Sequence, residues 1–329
     1  MGASISDTQY GVITCEAGRL KGCEIHLDYP SVGATENIML CSIFALGDTV
    51  IRNAAREPEI VDLQSYLVKA GARIRGAGSE EIRIEGLGPG ARLSDVEYSV
   101  MPDRIVAGTF LTAVAATGGR LCLDGVVPEH MSSIFSVLKE SGCELTVRKD
   151  RVDLRAPPRT RAVDMIRTLP YPGFPTDMQP QMMSLLTTAR GTSIMVETVF
   201  ENRYRHAEEL QRMGADIRMQ GPVAVIRGVD RLTGAEVGVW DLRGGAAMII
   251  AALRAEGVTS IFPAKHIDRG YEAIETRLAA LGARIIRVDP AGSRQPDTKE
   301  GNRWTKEPEE ASPETGSQQE ADRAGTPPG

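Results

Sequence analysis

Apolar and polar positions along this chain follow two rhythms that exchange at regular intervals. Runs such as ENIMLCSIFAL and MIIAALRAEG carry apolar residues at helical spacing, and each gives way near a glycine to a β-branched stretch, GDTVIRNA or GVTSIFPA, that reads as a strand. A loop follows, then an amphipathic run such as EPEIVDLQSYLVKAG or RGYEAIETRLAALG, then one or two short alternating segments such as RIRGAGSEEIRIEG or DIRMQGPVAVIRGV. The predicted unit is therefore strand, helix, strand, helix, strand, strand.

That unit is written four times. Its second helix ends in LVKAGARI, LKESGCEL, LQRMGADI and LAALGARI, whose glycines, Gly71, Gly142, Gly214 and Gly282, are separated by 71, 72 and 68 residues. A glycine just past a helix suits a left-handed closing residue. Each first helix is preceded by a polar residue, Ser31, Asp103, Asp177 or Asp241, of the types that cap helix starts. A repeat near 70 residues is too long for ankyrin or tetratricopeptide arrays. Alternating strands and helices predict an α/β architecture of repeated modules, with sheets covered by helices.

Composition changes this picture little. At 329 residues, with 42% hydrophobic and 25% charged residues, the chain has the length of about two domains. No apolar run approaches the roughly 20 residues of a membrane span. The start, MGASISDTQYG, lacks the basic and apolar regions of a secretory signal, so no membrane partner and a cytoplasmic location are expected. A net charge of −6 argues against a nucleic-acid partner, so an anionic ligand must be met by local arginines. The five cysteines show no paired spacing and read as small apolar residues, and the four histidines show no metal-ligand pattern. From Ala291 the chain is rich in Pro, Glu, Ser, Gly and Gln, with Trp304 as its one aromatic, and is expected to be disordered.

Four stretches carry more specific chemistry: PSVGATENIM with NAAREPEIVD, PYPGFPTDMQ, ETVFENRYRHAEELQRMGA, and DLRGGAAMIIAALRAEG with HIDRGYE. Over roughly Tyr10 to Val288 they resemble the UDP-N-acetylglucosamine enolpyruvyltransferases (UDP-N-acetylglucosamine 1-carboxyvinyltransferases). The related shikimate-3-phosphate enzymes share the repeats but not these phrases. The resemblance implies two domains, each an inside-out α/β barrel of βαβαββ units around parallel helices, with the active site between them. Four units where six are expected imply an incomplete first domain over residues 1–101, a second over 102–290, and a tail over 291–329.

The implied reaction moves the enolpyruvyl group of phosphoenolpyruvate onto the 3-hydroxyl of UDP-N-acetylglucosamine, releasing phosphate, as the first committed step of peptidoglycan synthesis. It needs a base for the hydroxyl proton, cationic cover for carboxylate and phosphate, and an acid for the methylene carbon. No cofactor or metal is implied. By resemblance Asp177 is the base and Asp241 lies beside the reacting centre; by pattern alone Asp177, aided by Thr176, reads as a helix cap, and both roles can hold at once. Arg243 and Arg269 match the arginines that hold phosphoenolpyruvate and Arg203 another cleft arginine, although a lone surface arginine is more often a solvated salt bridge.

Ser31, Val32 and Gly33 match the helix start that receives the nucleotide diphosphate, and Val199 and Phe200 match sugar contacts. Glu57 and Glu59 read as first-turn acids of a helix. The family's front segment supplies a Lys-Asn pair, an arginine, the uracil-binding segment and a loop with a cysteine general acid. None of these phrases occurs here, and none of the five cysteines takes the acid's role. The expectation is that this polypeptide alone has little or no transferase activity. The alternatives are a non-catalytic paralogue that binds nucleotide sugar or phosphoenolpyruvate, and one kept for interaction through its acidic tail.

Overall fold

The structure, a computed structural model, describes residues 1–8 and 12–288. The expected disordered tail, with Trp304, lies outside the described residues. An exposed antiparallel hairpin, β1 (Ser4–Thr8) and β2 (Val12–Glu16), opens the chain and was not anticipated by the repeat.

The first full unit then runs β3 (Glu24–His26), α1 (Val32–Ser42), β4 (Thr49–Arg52), α2 (Pro58–Lys69), β5 (Arg73–Arg75) and β6 (Glu81–Glu85). Its sheet has the order β3-β4-β6-β5, with β3 and β4 parallel and the others antiparallel. Met39, Ile43, Ile51, Ile60, Ile82 and Ile84, from the helices and the sheet, are at most 1% exposed and form a core of their own. Alternate residues of β6 are buried, as the period-two pattern requires of a sheet with one face on a core.

The second unit departs from the predicted order. Residues 91–103 have no regular structure. Instead of forming a leading strand they strap across α2: the Ser94 amide donates to the Ala70 carbonyl (2.8 Å), and the Tyr98 hydroxyl donates to Asp62 Oδ1 (2.8 Å). Then follow α3 (Arg104–Thr117), β7 (Gly119–Asp124), a 3₁₀ turn (Pro128–Met131), α4 (Ser132–Glu140), β8 (Glu144–Val147) and β9 (Arg151–Ala156), in a three-stranded sheet β7-β9-β8.

The third unit has the full pattern: β10 (Met165–Arg167), a 3₁₀ turn (Thr176–Met178), α5 (Gln179–Leu186), β11 (Thr192–Val196), α6 (Arg205–Arg212), β12 (Asp216–Gln220) and β13 (Val223–Arg227), ordered β10-β11-β13-β12. The fourth, β14 (Glu236–Gly238), α7 (Leu242–Arg254), β15 (Ser260–Phe262), α8 (Lys265–Asp268) and α9 (Ile274–Ala280), pairs β14 and β15 in parallel. Residues 283–285 form no closing strand, unlike their counterparts in the other units.

Helices α3, α5 and α7 pack against one another, and the sheets lie outside them. All eight residues of α5 and eight of the thirteen in α7 are buried, so neither run is confined to one apolar stripe, and α5 buries Gln179, Gln181 and Ser184 among its apolar residues. Ser184, inside this bundle, donates its hydroxyl to the Ala247 carbonyl (2.8 Å), so its burial leaves no unmet donor. The helices-inside arrangement is the expected one, although the strands among the described residues form separate sheets and not a closed barrel.

The four repeated glycines have φ between +94° and +109°. After α2, Gly71 N–H donates to Val68 O (3.0 Å) and Ala72 N–H to Leu67 O (2.9 Å). The same paired bonds follow α4, α6 and α9, closed by Gly142, Gly214 and Gly282. Each is a Schellman ending, which satisfies carbonyls that the last helical turn would otherwise leave unpaired.

Candidate active site

Three of the four polar starters cap their helices. Ser31 Oγ accepts from Ala34 N–H (3.3 Å), Asp103 Oδ1 from Ile105 and Val106 N–H (2.8 and 2.9 Å), and Asp241 Oδ1 from Arg243 and Gly244 N–H (2.9 Å each). Asp177 does not cap. The 3₁₀ turn Thr176–Met178 sets its carboxylate apart from the start of α5, which has no side-chain cap.

The Asp177 carboxylate instead lies between two arginines from distant parts of the chain. Arg203, in the loop before α6, donates Nη2–H to Oδ1 (2.8 Å). Arg243, in the first turn of α7, approaches Oδ2 with Nε and Nη2 (3.1 Å each). Both guanidinium groups are largely buried, at 19% and 12% exposure, whereas the Asp177 side chain is 39% exposed. Burial pushes this carboxyl up, but Arg203 and Arg243 more than offset that and hold it below the usual carboxylate range.

Each arginine is further constrained. Arg203 donates Nη1–H to Thr176 Oγ1 (2.7 Å) and sits 5.0 Å from the Phe200 ring centroid. Arg243 donates Nη1–H to the hydroxyl of Tyr271 (3.2 Å) and lies 5.5 Å from that ring's centroid. Tyr271 is itself buried and bonded to Thr109 of α3 (2.9 Å) and to Gln181 of α5 (3.2 Å). Three central helices thus fix the direction of one guanidinium.

Asp177 and Arg243 open into a cleft of ≈ 660 Å³. Ser31, Val32, Gly33, Val199 and Phe200 line it as well, so seven of the ten expected site residues share one cavity and Arg203 joins them through Asp177. As the first two residues of α1, Val32 and Gly33 have backbone N–H groups that the helix does not use, and those groups are available to an anion. Besides Arg203, two expected residues lie off the lining. Asp241 is engaged in its cap, and Arg269, the residue closing α8, is exposed on the surface.

The cleft also holds residues that the sequence reading placed elsewhere or passed over. Glu59 is in the first turn of α2, as expected, but its carboxylate receives Nε and Nη2 of Arg104 (2.9 and 3.3 Å) from the start of α3. Glu57 stands one step before α2 and accepts from the Tyr171 amide (3.2 Å). Tyr29, Glu36 and Tyr171 complete this side. Burial, with Glu57 and Glu197 nearby, pushes the Tyr29 phenol up, and burial with Glu59 nearby pushes the Glu36 carboxyl up. Glu36, Glu57 and Glu59 thus share the cleft lining with Asp177 and Arg243, and Arg104 balances Glu59. Among the cysteines only Cys143 is buried, so the reading of all five as apolar filling holds for that one alone, and none lines the cleft.

Helices inside separate sheets are the arrangement of the enolpyruvyl transferases, as comparison with known proteins shows. A pattern for EPSP synthase (3-phosphoshikimate 1-carboxyvinyltransferase) matches residues 1–278. The enolpyruvyl transferase NikO from Streptomyces tendae superposes over 86% of this chain and 69% of its own, with a TM-score of 0.76 and 26% identity. EPSP synthase from Acinetobacter baumannii, at 20% identity and a TM-score of 0.61, shares the fold.

Sequence narrows the class. The chain is 56% identical over 288 residues to UDP-N-acetylglucosamine 1-carboxyvinyltransferase 2 of Caldanaerobacter subterraneus subsp. tengcongensis, covering 88% of this chain and 68% of that protein. It is 54% identical to UDP-N-acetylglucosamine 1-carboxyvinyltransferase 1 of Symbiobacterium thermophilum, covering 88% and 64%. The chain belongs to the UDP-N-acetylglucosamine 1-carboxyvinyltransferase family and spans about two thirds of the length of these relatives. No helix among the described residues is long and apolar enough to cross a membrane.

Proposed function

We propose that the cleft binds UDP-N-acetylglucosamine and phosphoenolpyruvate and serves enolpyruvyl transfer in peptidoglycan precursor synthesis. The observation that carries this reading is the Asp177 carboxylate held between Arg203 and Arg243 and still partly open to the cleft. The cleft is read as the boundary between two domains that meet near residues 101–103.

In this reading Asp177 accepts the proton of the sugar 3-hydroxyl as that oxygen bonds to the substituted alkene carbon of phosphoenolpyruvate, while the double-bond pair takes a proton at the methylene carbon from an acid that is assigned to no residue of this chain; loss of phosphate and of a proton from the resulting methyl group then restores the double bond. While both arginines hold it, the carboxylate is a weak base. An incoming phosphate or carboxylate competes for the same guanidinium groups, since a planar fork binds either anion. Engagement of Arg243 by the substrate weakens its hold on Asp177 and raises the basicity of that group when the hydroxyl is in place. Val32 and Gly33 offer backbone N–H groups to the nucleotide diphosphate, and Val199 and Phe200 flank the sugar. Arg269 reaches phosphoenolpyruvate only if its exposed loop moves towards the cleft.

Titration calorimetry of the purified chain with UDP-N-acetylglucosamine and then phosphoenolpyruvate, run beside a phosphate-release assay, tests this function. Saturable binding of both ligands, lost in Arg243→Ala, is the expected result. Binding without phosphate release assigns the chain the binding role alone, and failure to bind either ligand overturns the reading.

A further inference from the structure

Glu197 follows β11 and is 2% exposed, yet among the described residues no cation bonds to its carboxylate. Four neutral donors surround it instead. Oε1 accepts from the Thr168 hydroxyl (2.8 Å) and from the backbone N–H groups of Val199 (2.9 Å) and Phe200 (3.1 Å). Oε2 accepts from the Thr176 hydroxyl (2.9 Å).

A buried carboxylate without a cation is costly unless several hydrogen bonds favour its charged form. Turning the chain at residues 198–200 does not demand that cost, because a serine or asparagine side chain can serve a tight turn with neutral atoms. A distinguishing property of the carboxylate is that it only accepts, so every group facing it must donate.

This polarity reaches the cleft along two routes. Thr168 Oγ1, its proton directed to Glu197, accepts from Thr198 N–H (2.9 Å), and the cleft-lining pair Val199 and Phe200 bonds to Glu197 itself. Thr176 Oγ1, its proton likewise committed, accepts from Arg203 Nη1 (2.7 Å), whose Nη2 holds Asp177. Glu197 is absent from the cleft wall.

We infer that Glu197 is a positioning residue that sets, from behind, both the Val199–Phe200 edge of the cleft and the Arg203 that orients Asp177. The inference rests on the proposed function for what the cleft binds, but the ordering of the two segments is measurable without ligand. Glu197→Gln keeps shape while placing an amide donor among donors.

The experiment is residue-resolved amide exchange on the whole chain, with nucleotide-sugar affinity measured by calorimetry on the same samples. In Glu197→Gln, exchange at Val199 and Phe200 is expected to accelerate at least tenfold while Ile194 and Ile226 in the adjoining sheet keep their wild-type rates. Affinity for UDP-N-acetylglucosamine is expected to fall at least tenfold. Uniform acceleration, or unchanged exchange at Val199 and Phe200, overturns the inference by giving Glu197 a general structural role or none. If Glu197→Gln does not fold, Thr168→Val decides by the same comparison at Thr198 and Val199. If the wild type binds no nucleotide sugar, the proposed function fails and the exchange result alone decides this inference.

Discussion

Asp177 is the residue whose surroundings say most about the site. Its carboxylate occupies the guanidinium groups of Arg203 and Arg243, so on the proposed function it competes with an anionic substrate for them. Asp177→Asn is therefore expected to bind phosphoenolpyruvate about tenfold more tightly than the wild type, by calorimetry at low salt, because charge-assisted bonds are roughly twice as strong as neutral ones. Any phosphate release should fall by at least about 10²-fold, the usual scale for loss of a general base. Unchanged affinity in this variant would show that the anion does not use these arginines. By local pattern alone Asp177 reads as a helix cap, because PTDMQ shows only local spacing; its partners lie 26 and 66 residues away. Glu197 was illegible for the same reason. Its donors sit up to 29 residues off, and nothing local marks a glutamate after a strand as buried.

His206 gives a second residue-scale prediction. It is fully enclosed on α6, and burial, against the pull of Asp241 and with the push of Arg203, lowers its imidazole to about 4. The folded chain thus keeps this ring neutral where the unfolded chain takes up a proton near pH 6.5. Stability from this group is complete above that pH and is lost as pH falls towards 4, with a slope near 1.4 kcal/mol per pH unit and a total of about 3 kcal/mol. Urea unfolding between pH 7 and 4.5 should show this slope in the wild type and a shallower one in His206→Gln. Parallel profiles would remove His206 from the account.

At the scale of elements, the most legible feature was the helix ending. Glycine in a fixed place among leucine and small residues is a local requirement, and the four Schellman endings follow from it directly. Open space surrounds Gly71, so Gly71→Ala meets only the strain of positive φ and is expected to cost about 1 kcal/mol in unfolding free energy. Gly228 is a different case. A Cβ there would lie 1.6 Å from the Ala189 carbonyl oxygen, and Gly86 faces Ala45 in the corresponding place of the first unit at 2.3 Å. Gly228→Ala must move backbone and is expected to cost several times more, at about 3 kcal/mol or above, in the same denaturation assay. These close approaches were invisible in the sequence because they are made between a strand end and a helix end some 40 residues apart. The missing leading strand before α3 has a similar origin, since residues 94–98 found their partners on α2 and not on a sheet edge.

For the whole molecule, the question is what fixes the two hydrophobic cores so that a cleft is left between their residues. One core draws on residues 39–84 and the other on residues 105–278. Polar contacts at the start of α2 bridge them: Glu59 to Arg104, and Glu57 to the amide of Tyr171, whose ring lies 5.5 Å from the Arg104 guanidinium. The pair is unequal in burial, with Arg104 at 8% and Glu59 at 42% exposure, and this predicts unequal mutants. Arg104→Ala leaves a carboxylate that water can solvate, at an expected cost of about 1 kcal/mol plus lost packing. Glu59→Ala leaves a guanidinium enclosed without its counter-charge, and removing one partner of a buried pair reaches about 3–5 kcal/mol; the half-exposed partner here points to the lower end. A double-mutant cycle should therefore show the second variant as the more damaging, with much of its loss recovered when Arg104 is also replaced. Additive losses would mean that the two groups do not couple, and that the cleft is held open by the apolar cores alone.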